Sequence, residues 1–158
     1  MATNKNFAVW IDNDGCPKKV LEIVFKASQN RCFPVKVVAN RYMHPPHQFV
    51  EVFSVSGDFD AADDYIANNV HLNDIVITSD IPLADRIVTA GAIAINANGE
   101  IFDKESIKEK LTFRNLNQEL RSAGMISGGS GGYDQKKVYK FSNTFDRLIA
   151  QKINERGN

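Results

Sequence analysis

Residues 7–25 read FAVWIDNDGCPKKVLEIVF, and the parsing of that stretch decides the fold. FAVWID (7–12) is an apolar run ending in a carboxylate, of the length of a strand buried on both faces. Pro17 then takes the first position of a helix reaching about Asn30, with Val20, Ile23, Val24 and Ala27 at helical spacing. Between them lies D-N-D-G. A turn is served by one polar residue and a glycine; it does not require both Asp12 and Asp14. With Pro17 opening the helix, Cys16 is its capping residue, so neither aspartate has the usual capping task.

The same alternation extends outward. FPVKVVAN (33–40) is a second strand, RYMHPPHQ (41–48) a loop because consecutive prolines forbid helix, and FVEVFSV (49–55) a third strand. Residues 58–70 form a helix with an acidic start, DIVITS (74–79) a strand, and 82–91 a helix closing on glycine. AIAIN (92–96) is the next strand, followed by a turn at Asn98 and Gly99. Residues 104–124 are mostly helix, 126–135 a flexible Gly/Ser-rich loop, and 138–153 a last helix. Strands alternating with helices through short connections imply an α/β fold: a single domain over 1–158, three-layered, with a mainly parallel central sheet.

Composition excludes several classes. No apolar run approaches the roughly 20 residues of a membrane span, so no membrane partner is expected. The N-terminus lacks a signal-peptide pattern, and Cys16 and Cys32 form neither a metal spacing nor a disulfide framework, which points to a cytoplasmic protein. Net charge is zero but unevenly spread: about +4 over residues 1–41, −8 over 42–102 and +4 over 103–158. An acidic middle between basic ends suggests a cation site with anion-attracting borders.

In open α/β sheets ligands bind beyond the carboxyl ends of the strands. Asp12 and Asp14 follow the first strand, Asp80 follows DIVITS, and Asp60, Asp63 and Asp64 open the helix before it. Asp60, Asp63 and Asp64 also suit a helix start electrostatically. Asp80 does not, because Pro82 at the first helical position makes Ile81 the cap and leaves Asp80 one place outside. Clustered carboxylates need a cation, and oxygen-only ligands suit Mg²⁺ or Mn²⁺ rather than zinc. Such an ion polarises phosphoryl oxygens, so a phosphoester-cleaving site is expected.

WIDNDGC and SDIPLAD resemble the acidic motifs of haloacid-dehalogenase-type phosphatases, whose first Asp attacks phosphorus. That chemistry requires a cation between the motifs, yet residues 37–103 hold no Lys and only Arg41 and Arg86, and Cys16 stands where a Thr is expected. More of the chain resembles another family. WIDNDGCPKKVLEIVFKAS, VVANRYMHPP, GDFDAADDYIA, DIVITSDIPLADRIVTAGA, INANGEIFDKESI and LNQELRSAG, in that order, resemble the YaiI/YqxD family of bacterial proteins in the PIN-like superfamily. ITSDIPLADRIVTAGA is also similar to the T-x-D-x-x-L pattern of PIN nucleases.

The resemblance implies a Rossmann-like sheet and an acidic metal site at Asp12, at Asp63 and Asp64 with Asp60 nearby, and at Asp80, with Asp14 and Asp85 as weaker members. The family's TGGP motif stands here as SGGS (127–130). The expected function is metal-dependent hydrolysis of nucleic-acid phosphodiesters, RNA being favoured. In this reading Asp12, Asp64 and Asp80 are catalytic and hold Mg²⁺ or Mn²⁺, while Asp60, Asp63 and Asp14 complete the shell. Helical position puts Asp63, not Asp64, on the side of Ile66 and Val70, so both are retained. Lys18, Lys19, Arg41, Arg114 and Arg121 are the candidates for steering the phosphate backbone. A phosphatase and a non-catalytic metal- and RNA-binding domain are the alternatives. His44 and His47 in HPPH read as surface loop rather than metal ligands. Cys16 reads as a buried small side chain, or, beside a helix start, as a thiol of lowered pKa.

Overall fold

A computed structural model of the chain describes residues 6–56, 61–122 and 134–156. Most of the loop at 126–135, including SGGS, lies outside those residues, as does Asp60. In chain order the elements are β1 (Val9–Asp12), α1 (Lys18–Arg31), β2 (Val35–Ala39), β3 (Val50–Ser54), α2 (Ala61–Asn69) and β4 (Ile75–Ile77). There follow α3 (Ile81–Thr89), β5 (Ile93–Ile95), α4 (Lys104–Ser122) and α5 (Gln135–Arg156).

The five strands form one parallel sheet ordered β3-β2-β1-β4-β5. Asp12 pairs across to Val38 of β2, and Ile11 to Ile77 of β4. All four residues of β1 and all three of β4 are buried, as a strand covered on both faces requires. On one face α1 and α5 bring Val20, Val24, Phe141, Phe145, Leu148 and Ile149 against Phe7, Phe33 and the odd-numbered residues of β1. On the other, α2, α3 and α4 bring Ile66, Leu83, Ile87 and Ile107 against Trp10, Val38, Val76 and Ala94. The result is the three-layer, Rossmann-like α/β arrangement expected.

The loop expected between the second and third strands is present, whereas two helix starts differ from the expectation. The β2–β3 connection crosses between parallel strands in ten residues, 40–49, without a helix. Its two prolines exclude helix, and His47 ties it to α1: Nε2 lies 2.8 Å from the Phe25 carbonyl oxygen, and Nδ1 accepts from the Phe49 N–H. Pro17 is itself the cap of α1 rather than its first residue, so Cys16 caps nothing. Helix α5 begins at Gln135, earlier than position 138.

Helix α5 is also held at one point backbone to backbone. Gly99, at φ +80°, sits so close that a Cβ would lie 2.6 Å from the Lys140 carbonyl oxygen. The Thr144 hydroxyl donates to the Gly99 carbonyl at 3.0 Å. No described helix is long and apolar enough to cross a membrane.

Candidate functional site

Strand order reverses at β1: the chain builds outward to β2 and β3, then crosses through α2 to β4 on the other side. The carboxyl ends of β1 and β4 therefore border a crevice. Asp12, the last residue of β1, stands there and is buried. The chain then turns through Asn13–Cys16, closed by the Cys16 N–H donating to the Asn13 carbonyl at 3.1 Å. Gly15 takes φ +74° in that turn, a left-handed conformation that favours glycine. Gly thus serves the turn and Asp12 ends the strand.

A chain of hydrogen bonds orients Asp12. Thr78, just after β4, donates its hydroxyl proton to Asp12 Oδ2 at 2.9 Å. The same hydroxyl accepts from the Asp80 N–H at 3.0 Å. Asp80 Oδ1 in turn accepts from the Leu83 N–H at 3.0 Å and caps α3. Asp80 therefore does have a helical task, contrary to the sequence reading. Pro82 occupies the second helical position rather than the first, because a first-turn N–H is unpaired at either place and proline costs nothing there.

Burial is the largest influence raising the pKa of Asp12. The Thr78 hydroxyl and the Asp14 backbone N–H oppose it, while the charges of Asp80 and Asp14 add to it. The Cys16 thiol is pushed up to about 12, by burial first and by Asp12 second. The lowered thiol pKa considered from its place beside a helix start is overturned. Asp12, Asp14, Cys16, Thr78, Ser79 and Ala97 surround a hollow with about 10 Å³ of free space, on the scale of one water molecule or small ion.

The other expected residues are placed less centrally. Asp14 is exposed at the turn and accepts from Asn40 Nδ2 at 3.3 and 3.4 Å. Asp63 is half-buried in the first turn of α2. Asp64 is exposed and pairs with Arg86 Nη1 at 2.8 Å. Asp85 is exposed on α3. The structure thus puts Asp12 and Asp14 on the hollow and Asp80 near enough for its charge to act on Asp12, while Asp80 and Asp64 are both outside the hollow's lining, Asp64 in a surface ion pair. Among the described residues no three His, Cys, Asp or Glu side chains converge as a metal cage. Lys18 and Lys19 are exposed at the start of α1, with Lys19 3.7 Å from Glu22, and Arg41 is exposed just after β2. Arg114 and Arg121 lie on α4, and their side chains fall outside the described ones.

Sequence reasoning gave no role to Thr78 or Asn40, the partners of Asp12 and Asp14. Thr78 was visible in ITSD as a hydroxyl two residues before an aspartate, a spacing that lets it meet the Asp80 N–H.

Comparison with known proteins places the chain in a family. The chain matches the "Uncharacterized BCR, YaiI/YqxD family" over residues 10–151. It is 42% identical over 147 residues to a UPF0178 protein of Maridesulfovibrio salexigens, covering 92% of this chain and 97% of that one. A UPF0178 protein of Geobacter metallireducens is also 42% identical, over 93% of this chain and 96% of its own length. One from Marinomonas is 40% identical, over 92% and 98%. No solved structure matches. The chain belongs to the YaiI/YqxD family of bacterial proteins.

Proposed function

We propose that this protein hydrolyses nucleic-acid phosphodiester bonds, RNA foremost, with Mg²⁺ or Mn²⁺ bound at the Asp12 hollow. One observation carries the reading: a buried carboxylate stands at the switch point of the sheet with two further carboxylates acting on it. An ionised group so placed is costly unless a cation compensates it. The donor set fits a hard cation in one respect and limits it in another. Oxygen donors are right for Mg²⁺ or Mn²⁺, but no cage of three protein ligands exists among the described residues. That matches an ion held by one or two carboxylates and completed by water and substrate phosphate. Asp12 would hold it, with Asp14 at the mouth and Asp80 outside the lining but near enough for its charge to act on Asp12.

A bound divalent ion supplies phosphoryl polarisation and an acidified water. The chain's own residues do the rest. The Thr78 hydroxyl on Oδ2 and the Asp14 N–H together fix the orientation of the Asp12 carboxylate. Asn40 steadies Asp14. Lys18, Lys19 and Arg41 attract the phosphate backbone. Asp63 and Asp64 enter as outer charges only. The phosphatase reading is weaker, because no Lys or Arg lines the hollow among the described residues to balance a phosphoaspartate.

The test is incubation of mixed RNA with the protein and Mn²⁺, comparing wild type with Asp12→Asn. Cleavage by wild type alone is expected. RNA left intact across several metals and substrates refutes hydrolysis. Metal-dependent stabilisation without turnover would mark a binding domain instead.

A further inference from the structure

The two faces of the sheet present different rims at its carboxyl edge. On the α2/α3 face the first turn of α2 brings Asp63 and Asp64. On the α1/α5 face the rim is cationic and aromatic. Arg41 and Tyr42 follow β2 in a loop whose Met43 packs into the α1/α5 core. Lys18 and Lys19 begin α1. Lys136, Tyr139 and Lys140 lie in the first turns of α5, which Gly99 holds against the loop that follows β5. Ala97 of that same loop lines the Asp12 hollow.

Two tyrosines on this rim keep most of their surface open to solvent. Tyr42 is 63% exposed and Tyr139 66%. Tyr42 is braced by an edge contact with His44, ring centres 6.4 Å apart. Each stands beside exposed cations, Arg41 for one and Lys136 and Lys140 for the other. Some acids are present too: Glu22 lies beside Lys19, and Glu100 is near enough to Lys140 to feel its charge. Strands β2 and β5 are three strand spacings apart, about 14 Å, with the hollow between them. Exposed aromatic faces alternating with cations fit unpaired bases and their phosphates, since every base offers a stacking face once it is out of a duplex. A duplex hides those faces.

Resting on the reading of the Asp12 site above, we infer that the α1/α5 rim is a binding track for single-stranded nucleic acid, with bases stacked on Tyr42 and Tyr139 either side of the hollow. Arg41, Lys136 and Lys140 contact the phosphates. The strand therefore crosses the sheet edge over Asp12 rather than running along one helix.

Binding is measured separately from cleavage. Fluorescein-labelled oligonucleotides of about eight nucleotides, RNA and DNA, single-stranded and as duplex, are titrated in EDTA and followed by anisotropy. Wild type is expected to prefer the single strand. Tyr42→Ala and Tyr139→Ala should each weaken it by at least about fivefold, while Tyr42→Phe and Tyr139→Phe keep the stacking face and bind as wild type. Lys136→Ala should lower the slope of log K against log salt by about one. Either sugar supports the track, because stacking does not read the 2′-hydroxyl. No binding, preference for duplex, or alanine variants that bind as wild type overturn it. Binding without cleavage in Mn²⁺ leaves the track standing and removes hydrolysis; cleavage with unaffected tyrosine variants does the reverse.

Discussion

Asp74→Ala should cost more stability than any substitution at the candidate site. Asp74 precedes β4, is 3% exposed, and accepts three hydrogen bonds. Its Oδ1 takes the Ala8 N–H at 2.9 Å, and its Oδ2 takes the Trp10 indole N–H and the His71 N–H, each at 2.9 Å. It thereby ties the amino ends of β1 and β4 together. Ala8 and Trp10 are buried, so alanine strands two donors away from water, at about 1–3 kcal/mol each. His71 is exposed and its N–H can turn to solvent at little cost. The expected loss is about 3–4 kcal/mol, or roughly a 10 °C fall in Tm for a chain of this size.

Trp10 is the only tryptophan, so urea denaturation can be followed by its fluorescence at the bond in question. Asp74→Asn retains part of the acceptor capacity and should lose about half as much. A second background isolates the pair. In Trp10→Phe, followed by circular dichroism, the indole donor is already gone and Asp74→Ala should cost about 1 kcal/mol less. A loss under about 1 kcal/mol for Asp74→Ala, or an equal penalty in both backgrounds, refutes the reasoning.

Gly99→Ala should destabilise by about 2–4 kcal/mol, because a Cβ there meets the α5 backbone and φ is +80°; hydrogen exchange in α5 should accelerate, and unchanged protection would refute the contact. Thr78→Val keeps the shape but strands the Asp80 N–H and removes the donor to Asp12, for a loss of about 1–3 kcal/mol by thermal melting; a neutral result would show that the bond chain is dispensable. The pKa of Asp12 is raised, so in metal-free protein its stabilising contribution is present below the ordinary carboxylate range and lost as pH rises through its own higher value. Asp12→Asn cannot ionise and should melt a few degrees above wild type near neutrality, with the gap closing toward about pH 4; a gap that does not change with pH in EDTA contradicts this. The Cys16 thiol, held near 12, should react with Ellman's reagent at neutral pH far more slowly in the folded than in the urea-unfolded protein, and equal rates would refute the burial argument.

The layered sheet was readable because its strands are apolar runs bounded by turn residues, and FAVWID and DIVITS have little else to be. The helix starts were misplaced by one residue at both prolines. Proline marks the first turn but does not say which position of it, and for Asp80 that residue decides between free ligand and cap. Asp63 and Asp64 differ by about 100° around a helix, and the sequence offers both; the ion pair with Arg86, distant in sequence, decides the direction of Asp64. Asp74 and Thr78 were missed for a related reason. Their partners Ala8, Trp10 and Asp12 lie more than sixty residues away, and short motifs carry no record of such contacts.

The cover of one sheet face comes from opposite ends of the chain. Phe7, Phe33, Val35 and Val37 lie under Phe141, Phe145, Leu148 and Ile149, which α5 contributes after every strand has already been synthesised. During synthesis the part of that apolar face beneath α5 stays wet until this helix emerges, a state in which neighbouring chains can stick to one another. A chain stopped before Gln135 should display it as dye binding to exposed apolar surface. The clasp between Gly99 and Lys140 then acts as the final latch of biogenesis, closing a molecule whose sheet edge was assembled first.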